Sequence, residues 1–420
     1  MNPFKLNPKP TEDLFMSLTQ LYPVPYDKMA VDSYTRTRVI LMNGTEFEAN
    51  WFSHQFARHT DDNDVRRQLA FIRRQEQQQQ KFLSALKPAD ETVLEHTIGY
   101  EQLAVDLTAW LAQNEADPYV KQALDFALLE DFDHLYRYSN FLDSETGVKA
   151  ENLVGGYTEL MPGRPTIAHH RHPYDSVKRP TKSSHADLQT CLNAAVITAA
   201  EQQTMNYYMN VCATYPTDEG RRLYQEIGMI EEQHVSQYES LMDPTLSWAE
   251  CLLMHQYTEC YLYYSCMQTE PDMRVRKLWE MLFEQEVSHL HAAKKLLEET
   301  EGKDYQSVVG SGEFPSILCL NSNIDYVRGV LASSVSLTAC RESWGPVERM
   351  EPDTDFFRYQ KRVVPAPDEV LSHTVIRDHI REFGIDYRFE TAPNPIESLR
   401  NRQEDNTELG RVPEKALSRA

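Results

Sequence analysis

The 420-residue sequence predicts an all-α protein: helical bundles built from repeated antiparallel helix pairs, followed by a long irregular C-terminal tail. Three observations predict it. Glycine is scarce, at 15, and methionine common, at 14, a balance that suits helix interiors. Apolar residues recur at three- and four-residue intervals in long runs separated by Asp- and Pro-bearing turns. And one spacing of chemically distinctive residues occurs four times. Glu201 precedes the E-x-x-H motif Glu231/His234 by 30 residues, and Glu259 precedes Glu286/His289 by 27. Glu101 precedes the D-x-x-H motif Asp131/His134 by 30, and Glu46 precedes Glu76 by 30, with Gln79 where a histidine would stand.

Residues 1–30 are proline-spotted and read as an arm. A helix is predicted over 34–58, with Gly44 as its weak point, then a capping turn at Thr60–Asp64. A second helix over 64–86 carries Leu69, Ile72, Phe82 and Leu83 and stops at Lys87–Pro88. The next pair, 90–114 and 118–142, carries Leu94, Ile98, Leu103, Leu107 and Trp110, then Leu124, Leu128, Leu135 and Phe141. These two pairs occupy 31–143. Residues 144–185, rich in Gly and Pro, form a long crossover connection with little helix; their His169-His170-Arg171-His172 run reads as a flexible basic loop. Helices resume at 186–214, 218–242, 246–268 and 271–299, so that 186–300 holds pairs three and four. From 301 to 420 glycine, proline and polar residues predict an irregular tail, with one short helix over Val327–Leu337.

The segments 100–143 and 200–243 align without gaps. Glu101 matches Glu201, Asp131 matches Glu231, His134 matches His234, and Tyr138 matches Tyr238. Duplication of a helix pair is the simplest account.

The net charge of −22 argues against nucleic acid or an anionic membrane as partner. No apolar run is long enough to span a membrane, and no secretory leader precedes the first helix. Seven cysteines, an odd number with no C-x-x-C, predict reduced thiols and a cytoplasmic location. No phosphate-binding glycine loop and no G-x-S-x-G occur.

The recurring spacing carries the chemistry. In E-x-x-H the two side chains leave the same helical face. About 30 residues with a short turn bring a carboxylate on one helix level with the motif on its neighbour. Glu201 lies in the apolar stretch Ala194–Ala200, and Glu259 is flanked by Tyr257, Cys260, Tyr261 and Leu262. A carboxylate on an apolar face needs a metal or a partner. Carboxylates with imidazole suit iron or manganese better than magnesium.

The pattern resembles the ferritin-like superfamily of di-iron carboxylate proteins, with rubrerythrin the nearest comparison, well over 186–299 and more weakly over 35–143. The resemblance implies a four-helix di-iron core reacting with O2 or peroxide and fed by an electron-donor protein. It makes Glu201 and Glu259 the lone-helix carboxylates, Glu231 and Glu286 the bridging or terminal ones, and His234 and His289 the imidazole ligands. Glu101, Asp131 and His134 form a further half-site. No paired C-x-x-C supplies a rubredoxin module.

Linker length bears on which halves meet. His234 and Glu259 are 25 residues apart. With helices running ~10 residues past each ligand, ~5 remain, reaching ~18 Å, whereas a crossover along a bundle climbs roughly 30 Å. His134 and Glu201 are 67 residues apart, which is ample. Three arrangements stay open: two sites in an eight-helix assembly, one from the middle pairs and one from the last pair with the first; a homodimer in which equivalent pairs meet; or an up-down bundle with a variant site. The expected function is a di-metal oxidoreductase with iron or manganese. The alternative is a helical scaffold or interaction protein with relic or structural metal sites.

Overall fold

A computed structural model describes residues 1–384, 386–400 and Thr407. In chain order the helices and strands are α1 (Ser33–Arg58), α2 (Asn63–Leu86), α3 (Val93–Gln113), α4 (Pro118–Thr146), α5 (Glu151–Val154), α6 (Leu188–Thr214), α7 (Asp218–Glu239), α8 (Trp248–Thr269), α9 (Met273–Glu301), α10 (Gln306–Val309), α11 (Ile324–Ser334), β1 (Leu337–Cys340), β2 (Ser343–Pro346), α12 (Asp355–Val363) and α13 (Leu371–Phe383). Among the described residues the protein is all-α apart from the short β1–β2 antiparallel hairpin and one isolated bridge between Leu160 and Phe389. Among the described residues no helix is long and apolar enough to cross a membrane. All seven cysteines are free thiols.

The helix starts follow from their capping residues. Asp32, Asp62, Asp117 and Asp272 accept backbone N–H groups at the starts of α1, α2, α4 and α9. Thr92 with Glu95, and Ser247 with Glu250, form reciprocal capping boxes at α3 and α8. Gly147 and Gly302 end α4 and α9 in the left-handed conformation.

The chain forms two compact units that do not follow chain order. The first comprises residues 1–91, 181–203 and 242–320. In it the hairpins α1/α2 and α8/α9 close a four-helix bundle, α1 against α8 and α2 against α9. Leu69, Leu83, Leu253, Leu262, Trp279 and Leu290 lie in its interior. Gly44 sits where Gln203 of α6 meets α1, and a Cβ there would collide with that side chain. The N-terminal arm is fastened to the bundle: Thr11 bonds Ser288 at 2.7 Å, and its carbonyl accepts from Gln75 at 2.9 Å.

The second unit comprises residues 92–180, 204–241 and 321–420. The α3/α4 hairpin and α7 are its centre, and α11 and α13 pack on α4. The 144–185 connection has little helix, but it is not a loose loop. Asp133 of α4 accepts from Gly163 N, Thr166 N and Thr166 Oγ1 at 3.1–3.2 Å, while Arg137 neutralises it from 3.0 Å. Arg164, fully buried, donates to the carbonyls of Phe126 and Ser334. The basic run expected to be flexible is therefore packed, with His169 and Arg171 buried.

The segment after 300 carries more structure than its glycines and prolines predict. Its helix falls at Ile324–Ser334, and Leu337 opens a strand instead. α12 buries Phe356 and Phe357, and α13 inserts His379, which donates to Asp143 at 2.9 Å.

Candidate metal centre

Five of the residues singled out in the sequence meet inside the second unit. Glu101 leaves α3, Asp131 and His134 leave α4, and Glu231 and His234 leave α7; all are buried. One ligand atom from each of Glu101, Asp131, His134 and Glu231 lies within 4.8 Å of all the others. Asp131 and Glu231 stand between the two imidazoles. His134 Nδ1 is 2.9 Å from Glu231, and His234 Nδ1 is 3.2 Å from both Asp131 and Glu231. The rings are 6.0 Å apart, centroid to centroid. Glu201 is buried on α6, an unbroken helix that continues to Tyr207 and Tyr208. Glu201 itself lies in the 181–203 segment of the first unit.

Burial penalises each of these carboxylates, and the outcome depends on its neighbours. Burial raises Asp131 despite His234 beside it. Burial also pushes Glu231 up, but His134 and His234 outweigh it and hold the carboxyl down at about 2. Tyr208 Oη donates to Glu101 at 2.5 Å.

Behind His234 stands a residue the sequence did not single out. Glu130, one position before Asp131, accepts from His234 Nε2 at 2.6 Å. It is also 3.0 Å from His169 Nδ1 and 3.1 Å from Arg171 Nη1. Burial would raise Glu130, yet Arg171 and then His169 overcome that and hold it well below the usual carboxylate range. Burial, reinforced by Arg164, pulls His169 down to about 3. The available signal was the E-D-x-D-H run of α4; nothing local announced that its extra acid would find Arg171.

The first unit gathers Glu46 of α1, Glu76 and Gln79 of α2, Glu259 of α8, and Glu286 and His289 of α9, all buried. Amides occupy much of this cluster. Gln79 Nε2 donates to Glu286 at 2.5 Å, and Gln256 Nε2 donates to Glu76 at 2.8 Å and to Glu259 at 2.7 Å. Tyr263 Oη donates to Glu46 at 2.5 Å. His289 lies 3.2 Å from Glu286 and 2.7 Å from the Gln75 side-chain carbonyl. One oxygen each of Glu46, Glu76 and Glu259 is buried without a hydrogen-bond partner. Burial, with Glu286 close by, holds Glu46 and Glu259 well above the usual carboxylate range. Burial likewise raises Glu76, against the pull of His289. The two full E-x-x-H motifs thus stand in different clusters, each facing an α-helix pair from elsewhere in the chain.

The donor set of the second unit suits a divalent cation: hard carboxylates with imidazole, closely converged, their charge otherwise only partly matched. Fold and site together define an all-helical protein whose buried Glu, Asp and His groups can hold a metal ion. Comparisons with protein-family models, with curated proteins and with solved structures find no match to this chain.

Proposed function

We propose that the second unit holds a di-metal centre of iron or manganese and that the protein is an oxidoreductase acting with O2 or peroxide, as its resemblance to the ferritin-like proteins implies. One observation carries the reading: Asp131 and Glu231 are shared by two imidazoles 6.0 Å apart, so that each of two ions would have its own histidine and both would share the same pair of acids. His134 and Glu101 would hold one ion, and His234 the other. When bound, the metals supply the redox change that no side chain here provides. The chain's own groups do the rest. Glu130 keeps His234 oriented through Nε2. Tyr208 holds one oxygen of Glu101. Glu101, Asp131, His134, Glu231 and His234 are themselves buried from solvent. An electron-donor protein would complete the cycle.

For the first unit we favour a structural or weaker metal role. Gln79 stands where the second imidazole would be, and the amides of Gln79 and Gln256 already engage three glutamates. Metal analysis separates the readings: two ions per chain place metal in the second unit alone, four place it in both. Glu231→Ala should remove the first two ions, and Glu286→Ala any others. Equal melting temperatures with and without Fe(II) or Mn(II), in protein that takes up no metal, would overturn the proposal.

A further inference from the structure

The first unit contains a cavity of about 160 Å³ that neither cluster of acids uses. Its floor is buried and mostly apolar, formed by Ala194, Ala199, Met254, Thr45 and Thr258. Half-exposed Thr181, Ser183, Met242 and Leu246 form its rim, so a ligand has a way in. One wall is different in kind. His255 and Glu48 face each other across 2.9 Å, from Nδ1 to a carboxylate oxygen, and Phe52 lies against the imidazole at a tilt of 31°, with centroids 4.2 Å apart. Glu48 thereby fixes the ring and its tautomer. With its Nδ1–H turned to Glu48, His255 presents Nε2 as an acceptor at the cavity wall.

The cavity shares two helices with the glutamate cluster. Thr45 and Glu48 flank Glu46 on α1, while His255 and Thr258 flank Gln256 and Glu259 on α8. His255 and Glu76 also act on one another electrostatically.

We infer that this cavity is a binding site for a small, mainly apolar molecule about the size of one aromatic ring, carrying a single hydroxyl that donates to His255 Nε2. The size follows from the volume, since an apolar cavity of about 150 Å³ takes up benzene. The single polar contact follows from a mostly apolar lining in which Asp243 is engaged by the backbone of Ser183 and Thr245 and the Glu48–His255 pair is the remaining charged feature. A charged ligand would have to compete with that pair. The site stands whether or not the first unit binds metal; that its ligand is what a metal centre there would meet rests on the functional reading above.

Phenol is the probe, titrated calorimetrically into the whole protein in both metal-free and metal-loaded forms, with benzene as comparator. The expected result is one saturable phenol per chain in both forms, tighter than benzene by about tenfold. Glu48→Gln should erase that preference. Ala195→Phe should abolish binding with the helical circular dichroism unchanged. Should that variant fail to fold, Leu246→Trp at the rim gives the same test. Absence of saturable phenol binding to folded wild-type protein overturns the inference, as does binding untouched by the filling substitutions. Equal binding of benzene and phenol overturns the assignment of the hydroxyl. Because the metal-free form is measured too, a failure of the metal proposal does not disturb the outcome.

Discussion

The two acid clusters correspond position for position, yet they are balanced in opposite ways. Glu46 and Glu101 each take a tyrosine hydroxyl at 2.5 Å, from Tyr263 and Tyr208. Each of the E-x-x-H histidines, His289 and His234, is backed by the residue just before the facing acid: Gln75 before Glu76, and Glu130 before Asp131. The second unit has two imidazoles among its acids and a charged Glu130 behind one of them, itself balanced by Arg171. The first has one imidazole, a neutral Gln75, and amides in place of charge. Similar carboxylates therefore end in different states: Glu231 is held at about 2, while Glu46 and Glu259 stay well above the usual range. Burial is the same in both, so the neighbours decide.

The largest way to break this comparison is to remove the shared acids. Asp131→Ala with Glu231→Ala should strip the second unit of metal. It should also remove the thermal stabilisation that metal confers, about 2.7 kcal/mol at a free concentration one hundred times Kd. Elemental analysis and melting curves check both.

Acidity gives a second test, on metal-free protein. Glu46, Glu76 and Glu259 have folded pKa values above the ordinary 4.5. The folded first unit therefore binds more protons than the unfolded chain above that pH, and its stability falls as pH rises through the raised values. Glu130 and Glu231 are depressed, so their contribution is present above about 4.5 and is lost as pH falls toward 2. Hydrogen exchange read peptide by peptide should show α1, α2 and α8 gaining protection, and α7 losing it, as pH drops.

Glu130→Gln copies the first unit's arrangement into the second. A loss of about 10- to 100-fold in metal affinity is expected, measured by competition with a chelator. An unchanged affinity would mean that Glu130 serves Arg171 alone. Tyr263→Phe and Tyr208→Phe test the donors that both clusters share. Each leaves a buried carboxylate short of one donor, and about 1–3 kcal/mol of stability should go in urea unfolding of the metal-free protein.

Much of this was legible before the coordinates. The eight long helices begin and end within a few residues of the Asp and Pro signals, because capping is local chemistry. The ligand spacing was legible because helix geometry converts sequence separation directly into height. What could not be read depends on distant partners. The excess acid of Glu130 has meaning only once Arg171, 41 residues on, is folded against it. The histidine run at 169–172 reads as exposed because nothing nearby shows that Asp133 will take up the backbone at Gly163 and Thr166. α12, nine residues long, is too short for its periodicity to stand out, and α13 starts without a side-chain cap.

The anchored connection has a further consequence. Between Gly163 and Arg171 the chain is fastened to α4 at one end and supplies the counter-charge to Glu130 at the other. That stretch has the tolerance of a protein interior although it has the look of a tether. Insertions that an ordinary loop absorbs would here displace a guanidinium from a carboxylate and, through it, turn the ring of His234. A segment with almost no helix of its own thus sets the aim of a histidine it does not contain.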